Sequence, residues 1–175
     1  DADADATDGN ISIIGAVTDA GNDSALTVTA GTGTVGLANV AANGAIAVTG
    51  SSITLNGTSY ASNDGDVTLT GAVSLASAGT LTIDADADDD ATDGNISITG
   101  AVTDAGTDST LVVDANTGTV GLASVAVNGA LDVTGTTITL NGGNYSTNDG
   151  NLALNGAVEL GFAGTLALNS DADAD

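Results

Sequence analysis

Laid on itself so that Ala6 meets Ala91, an offset of 85, this 175-residue chain repeats without a gap. ATDGNISI at 6–13 returns at 91–98, GTVGLA at 33–38 returns at 118–123, and ITLNG at 53–57 returns at 138–142. Tyr60 falls on Tyr145, and NDG from Asn63 falls on NDG from Asn148. Self-similarity at a fixed period marks a repeat architecture, in which each copy buries its apolar face against its neighbour. The chain opens and closes on DADAD, so a third copy would begin directly after Asp175, and the chain reads as a window on a longer tandem array. The expected divisions are an acidic seam at 1–5, a first repeat at 6–83, a second seam at 84–90, a second repeat at 91–170 and a third seam at 171–175.

A looser period lies inside each copy. The first copy divides into Gly9–Ala30, Gly31–Gly50, Ser51–Gly71 and Ala72–Asp93, four pieces of nearly equal length. Each piece holds two short alternating runs: ISI and LTV, VGL and IAV, ITL and VTL, VSL and LTI. Alternation over three to five residues rich in Val, Ile and Thr reads as half-buried strand. Asn43-Gly44, Asn56-Gly57 and Asp64-Gly65 punctuate these runs. Such pairs turn the chain because they tolerate positive φ or bond their own backbone. The chain has no proline, which suits ladders where every residue donates an N–H.

This pattern predicts an all-β fold, a parallel β-solenoid of about four coils per 85-residue repeat. Right-handed winding follows from the crossover rule. Rungs about 4.8 Å apart would give about 19 Å of axis per copy. The alternative is a string of immunoglobulin-like sandwiches, for which one repeat is the length of a small domain. Composition separates the two. Apolar residues make up 42% of the chain, yet its aromatics are two Tyr and one Phe, with no Met, Trp or Cys. A sandwich core spans about 10 Å and leans on large rings, whereas a narrow bore is filled by Val, Ile, Leu and Ala.

Charge narrows the function. The chain carries 23 acidic residues and no Lys, Arg or His, for a net charge of −23. Nucleic-acid binding is excluded, since neutralising phosphate needs protein cations. No apolar run is long enough to insert in a membrane. Without His, Lys, Arg or Cys there is no nucleophile–base pair or oxyanion clamp, and no enzyme is expected. Acidic coats favour small cations, high salt or mutual repulsion that maintains solubility.

The tract IDADADDDATDG at 83–94 concentrates that charge. In an extended strand Asp84, Asp86 and Asp88 would line one side, about 6.6 Å apart, each neighbouring pair repelling by about 0.6 kcal/mol in water. Calcium takes six to eight oxygens and would relieve the crowding. Candidate ligands are Asp84, Asp86, Asp88, Asp89, Asp90 and Asp93 in the centre. At the ends they are Asp1, Asp3, Asp5 and Asp8, then Asp171, Asp173 and Asp175. The spacing is not an EF-hand, because Asp89 stands where the loop needs Gly and no Glu closes it. The competing reading is a solvated acidic turn. Tyr60 and Tyr145 read as rings tucked beside a turn once per copy.

GNISITGAVTDAG, LTVTAGTGTVGLANV, VTGSSITLNG and SYASNDGDVTLTGAVSLASAGTLTI resemble repeats of giant bacterial surface proteins of the filamentous-haemagglutinin-like, β-strand-repeat type. That resemblance covers almost all of both copies and implies a secreted, cell-surface β-helix serving as an adhesin stalk or matrix fibre. The aspartate seams and the lack of basic residues depart from it. The expected function is therefore a stiff, acidic extracellular fibre, calcium-stabilised and self-associating through further copies of itself. The alternative is an adhesin module that recognises a cell or glycan surface.

Overall fold

The computed structural model describes residues 8–88 and 93–172, and within them the chain is a parallel β-solenoid of about seven turns. Among these residues eighteen strands form one continuous sheet that winds around a three-sided bore. The first face stacks β1 (Ile11–Ile13), β4 (Thr34–Leu37), the second halves of β6 (Ile46–Leu55) and β8 (Val67–Leu75), β11 (Val102–Asp104), β14 (Val125–Val127), β16 (Asn144–Thr147) and β18 (Ala167–Asn169). The second stacks β2 (Val17–Thr18), β5 (Val40–Ala42), β7 (Ser59–Ser62), β9 (Gly79–Asp84), β12 (Ser109–Asp114) and the first halves of β15 (Leu131–Leu140) and β17 (Leu152–Leu160). The third stacks β3 (Leu26–Thr29), the first halves of β6 and β8, β10 (Ile96–Ile98), β13 (Thr119–Leu122) and the second halves of β15 and β17. Every one of these pairings is parallel, which rules out the antiparallel immunoglobulin-like alternative.

The alternation read in the sequence points inward and outward as expected. Along β6 the side chains of Ile46, Val48, Ile53 and Leu55 are buried while Ala47, Thr49, Ser52 and Thr54 are more open. Each fully buried Val, Leu or Ile contributes about 1.5–3 kcal/mol. Apart from Tyr60 and Tyr145, the core is aliphatic. The two rings lie inside the bore. Tyr60 Oη donates to the carbonyl of Leu37 at 2.9 Å and accepts the N–H of Gly57 at 2.8 Å. Tyr145 does the same with Leu122, at 2.7 Å, and Gly142, at 3.1 Å. Burial pushes the Tyr60 hydroxyl up to about 12, the Gly57 N–H opposing it, and raises that of Tyr145 as well. Both rings therefore stay neutral across the physiological range.

The seam does not interrupt the ladder. Strands of the second copy sit directly on those of the first: Ile96 pairs with Val67, Val102 with Val73 and Leu111 with Leu81. The coil that carries the tract is longer than its neighbours. It needs the chain from Val67 to Ile96 to complete one turn, whereas Val35 to Ile53 suffices for an earlier one. The chain thus leaves the second face at Asp84 and enters the third at Ile96, and the ladder is continuous on either side.

Three sides per coil have a consequence for the repeat. Each copy has nine strands, two of which bend across a corner to serve two faces, giving eleven ladder segments. Eleven segments on three faces make three and two-thirds turns, close to the four expected. The second copy is thus turned by one third relative to the first. Ile11 belongs to the first face and its counterpart Ile96 to the third; Val17 belongs to the second and Val102 to the first.

Candidate functional site: the acidic corner and its capping aspartates

Among the predicted site residues, Asp8, Asp84, Asp86, Asp88, Asp93 and Asp171 are described; Asp1, Asp3, Asp5, Asp89, Asp90, Asp173 and Asp175 lie outside the described residues. Asp84, Asp86 and Asp88 do not line one side of a strand. β9 ends at Asp84, whose Oδ1 accepts the N–H of Asp86 at 3.0 Å. This local turn folds Asp86 into the protein, where it is buried, and leaves Asp88 exposed. A short carboxylate that bonds its own backbone two residues on ends the strand, so period-two facing is lost. Asp171 is exposed near the end of the described chain.

Asp86 and Asp93 do come together. Asp86 Oδ2 accepts Asn116 Nδ2 at 2.7 Å, and its carboxyl lies within hydrogen-bonding reach of Asp93. Asp93 Oδ2 accepts the Thr117 N–H at 2.8 Å and also the Thr117 hydroxyl. That hydroxyl holds the Asp93 carboxyl below the usual range; burial pushes it up, and the Thr117 N–H and the Asp86 carboxyl pull it down again. The same clasp recurs at the equivalent position of the first copy, where Asp8 accepts the N–H of Thr32, which keeps its carboxyl below the usual range. Among the described residues no group of three or more acidic side chains converges as a metal centre requires.

Two aspartates that the sequence reading did not select are held by several backbone donors each. Asp19 accepts the N–H groups of Gly21 at 3.0 Å, Asn22 at 3.1 Å and Ser24 at 2.7 Å, and reaches Asn43 of the next coil at 3.4 Å. Asp104 accepts those of Gly106 at 3.0 Å, Thr107 at 2.9 Å and Ser109 at 2.7 Å, with Asn128 at 3.4 Å. Backbone N–H groups of Asn22 and Ser24 lower the Asp19 carboxyl. For Asp104 burial pushes upward, and the donors of Thr107, Ser109 and Asn128 together outweigh it. Their signal was present in the sequence as TDAG at 18–21 and 103–106, each followed two residues later by Asp-Ser. The arrangement is anion capping: with no cationic side chain in the chain, these carboxylates take their positive partners from backbone N–H dipoles.

The class that this fold and these corners define is a three-sided parallel β-solenoid. No protein-family model matches the chain, and neither a curated protein nor a solved structure matches it. No helix among the described residues is long and apolar enough to cross a membrane.

Proposed function

We propose that the chain is a structural, extracellular element: a segment of a stiff acidic fibre or stalk at a cell surface. The observation that carries this reading is the uninterrupted ladder across the seam, from β8 and β9 onto β10, β11 and β12. A continuous hydrogen-bonded ladder over an aliphatic bore resists bending, whereas beads on linkers would hinge. The aspartates fit the same role. They cap corners and coat the rod with like charge, which discourages side-by-side aggregation. The lack of Lys and Arg leaves no trypsin site, an advantage for an exposed filament. The resemblance to bacterial surface repeats agrees with this role and with secretion.

The direct test is the axial length per copy, measured by electron microscopy of a tandem array. Three and two-thirds rungs predict about 18 Å per copy. A spacing of twice that or more, the diameter of a compact domain of this size, would mean separate beads and end the rod reading.

Calcium enters the proposal at the Asp86–Asp93 pair. Two carboxyls that close share a proton or a cation, and no protein cation exists to serve. Calcium bridging them is expected to raise the melting midpoint relative to a chelator at equal ionic strength. An unchanged midpoint would remove calcium and leave the rod intact.

A further inference from the structure

The first and last described coils are not equivalent, and each leaves open an apolar face that the coils between them cover. At the C-terminal end, Val158 is 46% exposed, Leu160 61% and Leu168 51%. Their counterparts in the first copy, Val73, Leu75 and Ile83, are at most 1% exposed, because β11 and β12 of the second copy cover them. At the N-terminal end, Ile11, Ile13, Val17 and Leu26 are only partly buried, whereas Ile96, Ile98, Val102 and Leu111 are enclosed. Shallow hollows lie on both faces, one bordered by Leu152 and Leu168, the other by Val17 and Leu26.

We infer that these faces are the two halves of one interface, and that the occupant of the C-terminal face is the N-terminal coil of a second copy of this chain. The internal junction is the template. Shifting its register by one repeat places Ile11 on Leu152, Ile13 on Leu154, Val17 on Val158 and Leu26 on Leu166. Each inward position at the exposed end has kept an apolar side chain: Leu152 for Val67, Leu154 for Leu69, Val158 for Val73, Leu160 for Leu75, Leu166 for Leu81 and Leu168 for Ile83. Along the strands the register sets no charge against charge, since Glu159 of β17 would face Thr18. At the corner Asp171 and Asp8, the counterparts of Asp86 and Asp93, would meet, and their repulsion adds to the salt dependence of the contact. The pairing is head to tail. Two like ends brought face to face would run their strands antiparallel and lose this register. A heterologous contact of this kind does not close, so it builds filaments. Each added chain brings two copies, so the docking junction repeats the one-third turn of the internal junction, and orientation recurs after three copies and eleven turns.

The net charge of −23 per chain opposes association, so the contact strengthens with salt. The experiment is sedimentation equilibrium of the intact chain in about 0.5 M NaCl, where the Debye length falls to about 4–5 Å. Apparent mass is expected to rise with concentration through dimer to higher species. Two blocked variants give the polarity. Leu160→Asp with Leu168→Asp blocks the C-terminal face; Ile11→Asp with Val17→Asp blocks the N-terminal one. Each should be monomeric alone, and the two mixed should give a dimer and nothing larger. A wild-type chain that stays monomeric over about 1 µM to 1 mM overturns the inference, as does either blocked variant dimerising alone. If a variant fails to fold by circular dichroism, the wild-type mass still decides. The inference rests on the rod reading, yet the two fail separately: a monomer that keeps the axial rise of a continuous rod removes only the end-to-end contact.

Discussion

Replacing Gly71 by Ala will cost several kcal/mol, making it one of the most damaging single-methyl additions in the chain. Gly71 sits inside β8 where the strand bends from the third face to the first, with φ at 132°. A side chain in that region is strained by about 1–3 kcal/mol. The added carbon would also point into the carbonyl oxygen of Gly50 in the coil below, which belongs to a backbone fixed by its own ladder. Overpacking of a fixed site adds about 1–3 kcal/mol. Gly15→Ala is the control: nothing lies within 4 Å of its added methyl and its φ is ordinary. Urea unfolding of the three chains should show Gly71→Ala with a far lower midpoint and Gly15→Ala near wild type. Equal midpoints would mean that the corner yields and that glycine is not required for the bend.

The corner also shows which parts of the fold were legible. The eight runs read as strands in the first copy all lie in strands, because each alternates apolar and polar residues over three or more positions. What escaped is the second face below β9. Its early strands are Val17–Thr18, Val40–Ala42 and Ser59–Ser62, too short and too poor in large apolar residues for period two to stand out. Two strands per coil were therefore seen where three exist. The one-third turn between copies could not follow, because it depends on counting segments against faces. Aspartate was misread for a related reason. Alternation was carried past Asp84, yet a residue able to bond its own backbone ends a strand as readily as it extends one. The TDAG loops were passed over because they lack the density of the seam, although Asp19 and Asp104 each accept backbone N–H groups from four residues.

The second large effect compares one residue with its own counterpart. Leu111 and Leu26 occupy the same position in the two copies, and a sequence-based argument would assign them the same cost. Leu111 lies between Leu81 below and Leu131 above and is fully buried. Among the described residues Leu26 has a ladder partner on one side, Ile46 above it, and it is partly buried. Leu111→Ala should therefore lose about 2–5 kcal/mol, the range for a large-to-small change that leaves a cavity. Leu26→Ala should lose about 1 kcal/mol, because much of its surface is already wet and an end coil can relax. Urea midpoints at low protein concentration and low salt measure both. Equal losses would mean that the first coil is packed as tightly as the junction, contrary to its burial. Raising salt and concentration then adds a second axis. If a second copy docks, Leu26 gains Leu166 beneath it and becomes an interior residue. Its replacement should then weaken assembly as well as folding, and the gap between the two variants should narrow.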